Sequence, residues 1–268
     1  MPLGLIGYTL AGLVVGTSIG LTGIGGGSMM APLLILVFHV PAARAVQLDF
    51  LYLIPTKLTG VWQHHRNGTI NRPLTALLAL GALPGTILGA LFVSRTVASN
   101  PALNQQLRQV IGVFILLSAA LLLAQLAVMW RKGRPDGGKR GATFTSSGCV
   151  LITAVGLAVG LFVGATSIGA GSLLLPLLVL LLRVHMRELV STDVAVGALM
   201  AVVGATVHSM SQAVPWGLVA ALLLGSIPGA FIGGRLVGII STRLVRGVVA
   251  GVLLISGLIL TGVLSAAG

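Results

Sequence analysis

An internal duplication restricts this chain more than any other feature. Gly12 to Leu34 (GLVVGTSIGLTGIGGGSMMAPLL) realigns on Gly156 to Leu178 (GLAVGLFVGATSIGAGSLLLPLL) at a constant offset of 144 residues, with more than half of the positions identical. The shared positions include Gly16 with Gly160, Gly20 with Gly164, Gly25 with Gly169, Gly27 with Gly171, Ser28 with Ser172 and Pro32 with Pro176. The same offset pairs Asp49 with Asp193, Gly60 with Gly204, His64 with His208, and the GALPGTILG run from Gly81 with GSIPGAFIG from Gly225. Such a chain folds as two related halves, and a site can draw on both.

Composition sets the solvent in which those halves fold. Hydrophobic residues make up 56% of the chain and charged residues 7%, with a mean hydropathy of +1.08, whereas soluble domains carry about 25% charged residues. An all-α polytopic membrane protein is expected, with the lipid bilayer as its surroundings. A net charge of +12 would suggest nucleic acid in a soluble protein. Here Lys and Arg sit in short loops between apolar stretches, where they set topology, so no nucleic-acid partner is expected. The single cysteine, Cys149, excludes an internal disulfide and a multi-cysteine metal site. No Lys or Arg precedes the first apolar stretch, which runs straight into the repeat, so the first helix is expected to be retained rather than cleaved.

Apolar stretches fall at about 3–22, 28–38, 46–62, 73–93, 109–130, 147–166, 172–182, 189–209, 216–238 and 246–266. Most reach the roughly 20 residues that cross a bilayer, while 28–38 and 172–182 reach about half of that. If each short segment returns the chain to the side it came from, the two halves are oppositely oriented. Cytoplasmic loops then hold Arg66, Arg72, Arg131, Lys132, Arg134, Lys139, Arg140, Arg183, Arg187, Arg235, Arg243 and Arg246, against Arg44, Arg95 and Arg108 outside and Lys57 within a span. If the short segments merely extend their neighbours, the basic residues divide almost evenly. The first arrangement alone obeys the positive-inside rule. It predicts two inverted-topology repeats, 1–130 and 147–268, joined by a basic cytoplasmic linker at 131–146, with both termini outside. Each repeat contains a Gly-rich broken or re-entrant helix hairpin and about three full transmembrane helices, for eight to ten segments in total.

The broken segments carry the strongest functional signal. GIGGGS (Gly23 to Ser28) and SIGAGS (Ser167 to Ser172) cannot continue a stable helix, because each glycine costs about 1 kcal/mol relative to alanine there. A break within a membrane must face protein, water or ligand, since unsatisfied backbone groups are expensive in lipid. Ser28 and Ser172 are suited to cap the half-helix that follows, with Pro32 and Pro176 tolerated one turn further on. The expected result is two half-helix N-termini that favour an anion. Gly12, Gly16 and Gly20, spaced by four, are read instead as a surface for close helix packing. A duplicated membrane protein with a helix break in each copy points to a secondary transporter.

Asp49, Lys57 and Asp193 lie in apolar spans, where an ionised side chain costs at least about 3 kcal/mol unless paired or hydrated. Asp49 and Lys57 are about 12 Å apart along a straight helix, so a pair between Lys57 and Asp193 across the repeats is as plausible as a local one. The carboxylates could carry a coupling proton and Lys57 could attract an anion, or all three could form a structural ion network. His64 and His208 lie near span ends, where they serve as interfacial anchors or join a proton relay. HExxH, GxSxG and a phosphate-binding loop are missing and only four acidic residues exist, so no catalytic residues, metal site or cofactor and no enzymatic activity are expected.

The duplicated break, the span LDFLYLIPTKLTGVWQHHRNGTINRPL (Leu48 to Leu74), its counterpart STDVAVGALMAVVGATVH, and the GALPGTILGA run together resemble the TauE/SafE family of sulfite exporters, also called TSUP, over nearly the whole chain. The resemblance implies a multi-pass carrier in the bacterial inner membrane for small sulfur-containing anions such as sulfite or organosulfonates, usually moved outward. Within it, Gly23, Ile24, Gly25, Gly26, Gly27 and Ser28, their counterparts Ser167, Ile168, Gly169, Ala170, Gly171 and Ser172, and Lys57 are expected to bind substrate. Asp49, Asp193, His64 and His208 are expected to form a coupling or ion network, with protons as a candidate coupling ion. The second copy has Ser167 where the first has Gly23, Ala170 for Gly26 and Ala201 for Lys57, so the site should be asymmetric. The alternatives are an anion channel, or a carrier of another small organic or inorganic anion.

Overall fold

The computed structural model describes residues 4–22, 27–96, 101–132, 145–169, 171–182, 184–236 and 242–263. Ten helices follow one another: α1 (Leu5–Thr22), α2 (Gly27–Leu36), α3 (Ala42–Arg66), α4 (Arg72–Thr96), α5 (Pro101–Lys132), α6 (Ser146–Thr166), α7 (Leu174–Leu181), α8 (Met186–Ser211), α9 (Trp216–Leu236) and α10 (Thr242–Leu260). They match the ten apolar stretches one for one, and α2 and α7 are the two short ones. The fifth helix is longer than its apolar stretch, extending back to Pro101.

Among the described residues, five helices are long and apolar enough to span a bilayer: Arg72–Arg95, Leu103–Ala127, Ser146–Thr166, Met186–Ser211 and Trp216–Leu236. Their outer faces present bare hydrocarbon, including Leu80, Leu88 and Phe92 on α4, Val150 and Leu151 on α6, and Leu224 and Phe231 on α9. Exposure on that scale suits lipid and no aqueous solvent. Trp62 and Trp216 are exposed near the ends of α3 and α9, with the Arg66 guanidinium 4.9 Å above the Trp62 ring. Aromatic residues in such places mark the level of the lipid headgroups.

Packing between the halves is set by glycines. A Cβ added at Gly12, Gly16 or Gly20 of α1 would strike the carbonyl oxygen of Leu222, Ser226 or Ala230 in turn. At Gly225, Gly229 or Gly233 of α9 it would strike Thr9, Leu13 or Thr17. Both series rise together, so α1 and α9 run parallel with their backbones in contact. The same relation joins α4 to α6, where Gly81, Gly85 and Gly89 lie against Thr153, Leu157 and Leu161, and Gly156, Gly160 and Gly164 lie against Leu78, Ala82 and Thr86. Small residues every fourth position permit this closeness, and close backbones are a main source of helix association in lipid. The first helix of each half is thus clasped by the fourth of the other.

The helices that hold equivalent places in the two halves run the opposite way. Gly60 of α3 faces Val194 of α8 and Phe50 faces Gly204, so α3 and α8 are antiparallel. Gly112 of α5 faces Leu260 while Gly257 of α10 faces Leu116, so α5 and α10 are antiparallel too. The third helix is the most polar of the long helices, yet its residues 45–50 are all buried. It packs on α8, α2, α9 and α5. The eighth is two-thirds buried over its apolar window where α6 is one-third buried, which puts α3 and α8 at the centre.

Candidate functional site

Ionisable groups meet where α3 and α8 cross. Lys57 Nζ lies 3.7 Å from Asp193 Oδ2, with the two side chains 3% and 1% exposed. The structure therefore forms the contact across the repeats and not the local one with Asp49, because antiparallel packing brings Asp193 opposite the C-terminal half of α3. At 3.7 Å the contact is a charge pair without a hydrogen bond, and Lys57 Nζ and both Asp193 oxygens lack any hydrogen-bond partner among the described residues. Burying a pair with unsatisfied donors and acceptors is costly, since desolvation then exceeds the Coulomb gain. A ligand with several acceptor oxygens would satisfy the ammonium.

Asp49, also fully buried, has a different partner. Ser167 Oγ donates to Asp49 Oδ2 at 2.7 Å and lies 2.7 Å from the Thr166 carbonyl oxygen as well. Ser167 is the residue that ends α6, and it holds a left-handed backbone at φ 59°. The segment after it turns through Gly169 (φ 122°) and Gly171 (φ 127°), conformations that side chains rarely adopt. The Gly169 carbonyl accepts from the amides of Gly171, Leu173 and Leu174 at 2.8, 3.2 and 3.1 Å. The break thus satisfies part of its own backbone, and fewer amides at the start of α7 are open to a ligand than the glycine pattern suggested.

Two expected caps differ. The N-cap of α7 is Leu173, without a side-chain bond, because the Gly169 carbonyl already takes the first amides; Ser172 lies one residue earlier, and its buried hydroxyl has no partner among the described residues. The second helix starts at Gly27, so Ser28 lies inside the first turn rather than capping it, and is buried. Ile168 is fully buried in the second break. Gly23, Ile24, Gly25, Gly26 and Ala170 lie outside the described residues, as does most of the basic linker.

The histidines separate. His64 Nδ1 lies 3.1 Å from Thr69 Oγ1 in the loop after α3. His208 is no interfacial anchor: it is fully buried, its Nε2 lies 3.0 Å from the Gly164 carbonyl, and its ring stacks on Phe50 at 5.6 Å. The close approach of α6 carries a carbonyl to it, and sequence position near a span end does not reveal this. Sequence reading also passed over Gln47 and Tyr52, which are fully buried beside Asp49 on α3; Gln47 Nε2 donates to the Gln212 carbonyl at 2.9 Å. Polar residues at 47, 49 and 52 inside an apolar run were a readable signal. Ser118 and Gln125 on α5 are likewise buried with unpartnered polar atoms.

A helical membrane protein with buried charge and interrupted helices at the contact of its two halves belongs to the class of membrane transporters. Sequence comparison agrees, and the chain belongs to the family described as sulfite exporter TauE/SafE, whose model matches residues 8–260. It is 33% identical over 253 residues to the "Probable membrane transporter protein YjnA" of Bacillus subtilis (strain 168), covering 94% of this chain and 98% of that protein. It is 25% identical to "Probable membrane transporter protein YdhB" of the same organism, covering 92% and 96%, and 28% identical to "Probable membrane transporter protein YunE", covering 87% of each. No solved structure matches.

Proposed function

We propose that this protein is a secondary carrier that exports small sulfur-containing anions, such as sulfite or organosulfonates, across the bacterial inner membrane. The anion binds near the midplane, between the two helix breaks and beside Lys57, and protons are the coupling ion. The observation that carries this reading is the Lys57 ammonium, 3% exposed, which among the described residues has a 3.7 Å charge contact to Asp193 and no hydrogen bond. A buried cation in that state accepts an oxyanion readily, since each acceptor oxygen fills a vacant donor position. The Ser172 hydroxyl in the break, without a partner among the described residues, adds a donor, and membership of a family of sulfite exporters supports a sulfur oxyanion as substrate class.

The two halves are inverted repeats that alternate access by moving against each other. Antiparallel packing of α3 with α8 and of α5 with α10 supports that reading, as does the charge distribution of the loops. The test is uptake of labelled sulfite into proteoliposomes preloaded with unlabelled sulfite, a sulfonate, sulfate or chloride. Saturable counterflow with sulfite or the sulfonate is expected. Flux that never saturates and shows no counterflow would mark a channel, and no response to any sulfur oxyanion would remove the substrate class.

A further inference from the structure

We propose that Asp49 is the coupling-proton site of this carrier and Ser167 the residue that positions it, while Asp193 stays charged as the fixed counter-ion of Lys57. The inference rests on the carrier reading above and decides which of two equivalent carboxylates changes protonation during the cycle.

The duplication makes the comparison sharp. Asp49 and Asp193 are equivalent under the 144-residue offset, but their surroundings are not. The residue equivalent to Lys57 is Ala201, and the residue equivalent to Ser167 is Gly23. Asp193 therefore has an ammonium at 3.7 Å, while Asp49 has a hydroxyl at 2.7 Å, feels the Lys57 charge from further away, and has no ion pair of its own among the described residues. A carboxylate in contact with a buried cation is held in its charged form more firmly than one whose nearest partner is a neutral hydroxyl. One beside a hydroxyl can exist in either state.

Ser167 also occupies a backbone conformation better suited to the glycine found at its counterpart. A left-handed backbone is unfavourable for a residue with a side chain, and such strain persists where the side chain is used. Here the side chain reaches Asp49. Its oxygen is 2.7 Å from Asp49 Oδ2 and 2.7 Å from the Thr166 carbonyl, which gives one hydroxyl hydrogen two acceptors. When Asp49 is ionised, Ser167 donates to it. When a proton from water binds Oδ2, the new O–H donates to Ser167 Oγ and the serine hydrogen swings to the Thr166 carbonyl. Release to water on the other side reverses both movements. One O–H bond forms and later breaks, and the contact between Asp49 Oδ2 and Ser167 keeps a hydrogen bond in both states.

Charge balance then links the proton to the anion. With Asp49, Asp193 and Lys57 all ionised the buried cluster carries one net negative charge, and a second would be strongly repelled without water to screen it. With Asp49 protonated the cluster is neutral, and a monoanion restores the resting charge. Anion and proton therefore load together, and export follows the outward anion gradient. The other ionisable groups around Asp49 are Tyr52 on its own helix and His208, which reaches Phe50 from α8. The break brings the Thr166 and Ser167 hydroxyls, α2 has no ionisable residue, Arg235 of α9 lies in its last turn, and Arg108 of α5 lies near the start of that helix.

The test uses the full-length protein in proteoliposomes, with sulfite and methanesulfonate as probes, counterflow as the measure of binding and a lumenal pH dye for proton movement. In the wild type, a one-unit gradient, acid outside, is expected to drive up to about tenfold accumulation at one proton per anion. D49N is expected to show no gradient-driven accumulation. S167G keeps a residue that accepts the left-handed backbone and removes only the hydroxyl, so it remains informative if D49N fails to fold. Its uptake profile is expected to move to higher pH relative to its counterflow profile. Normal gradient-driven accumulation in D49N, or an unshifted profile in S167G, overturns the assignment. Counterflow without proton movement in the wild type overturns it and leaves the carrier reading standing. No counterflow at all removes both.

Discussion

Lys57 and Asp193 form a buried pair, and a substitution cycle separates its structural role from its proposed role in transport. K57M leaves the Asp193 carboxylate buried without its cation and is expected to lower stability by about 3–5 kcal/mol, measured as a lower melting temperature in detergent. K57M combined with D193N removes both charges and is expected to recover most of that loss, because an uncompensated charge is worse than none. Anion counterflow should stay absent in the double variant. If transport returned with stability, Lys57 would be structural only. The pair could be named from sequence only as one of two options, since about 12 Å separates Asp49 from Lys57 on a straight helix but a bend at Pro55 would shorten it. His208 was harder to read, because its environment is a carbonyl from α6, brought within reach by packing.

Among the elements, the glycine rows of α1, α4, α6 and α9 allow little variation. Gly16→Val and Gly160→Val would push a side chain into the backbone around Ser226 and Ala82. Both are expected to destabilise by about 2–3 kcal/mol or more, visible as lost thermal stability in detergent. Gly251→Ala in α10 meets nothing within 4 Å and is expected to be neutral or to gain up to about 1 kcal/mol from helix propensity. Gly169→Val is a different case. Its Cβ would lie 2.8 Å from Leu173 Cδ1, and its backbone is at φ 122°. Transport should be abolished while membrane insertion, followed by fractionation, remains intact. Full activity would separate the break from the site. The period of four in Gly12, Gly16 and Gly20 was legible as a packing face. The same period in GALPGTILGA and GSIPGAFIG could have been read the same way, but which helix each row meets is invisible in a linear pattern.

For the whole molecule, topology is the quantity that remains to be measured against the inverted arrangement. In a Cys149→Ser background, single cysteines in the 133–144 linker are expected to react with impermeant reagents only from the cytoplasmic side, and cysteines beside Arg44 and Arg108 only from outside. Linker labelling from outside would sink the inverted arrangement. The number of segments and the shortness of two of them were legible in amino-acid order alone, because hydrocarbon thickness fixes span length and glycine runs stop helices. Tertiary structure decided what no local rule contains: that α1 is clasped by α9 and α6 by α4, that Lys57 pairs with Asp193, and that Ser167 turns to Asp49. Those contacts join residues more than a hundred positions apart in all but one case, the neighbouring α4 and α6. They depend on how closely glycine-lined backbones approach in three dimensions, which periodicity announces without naming the partner.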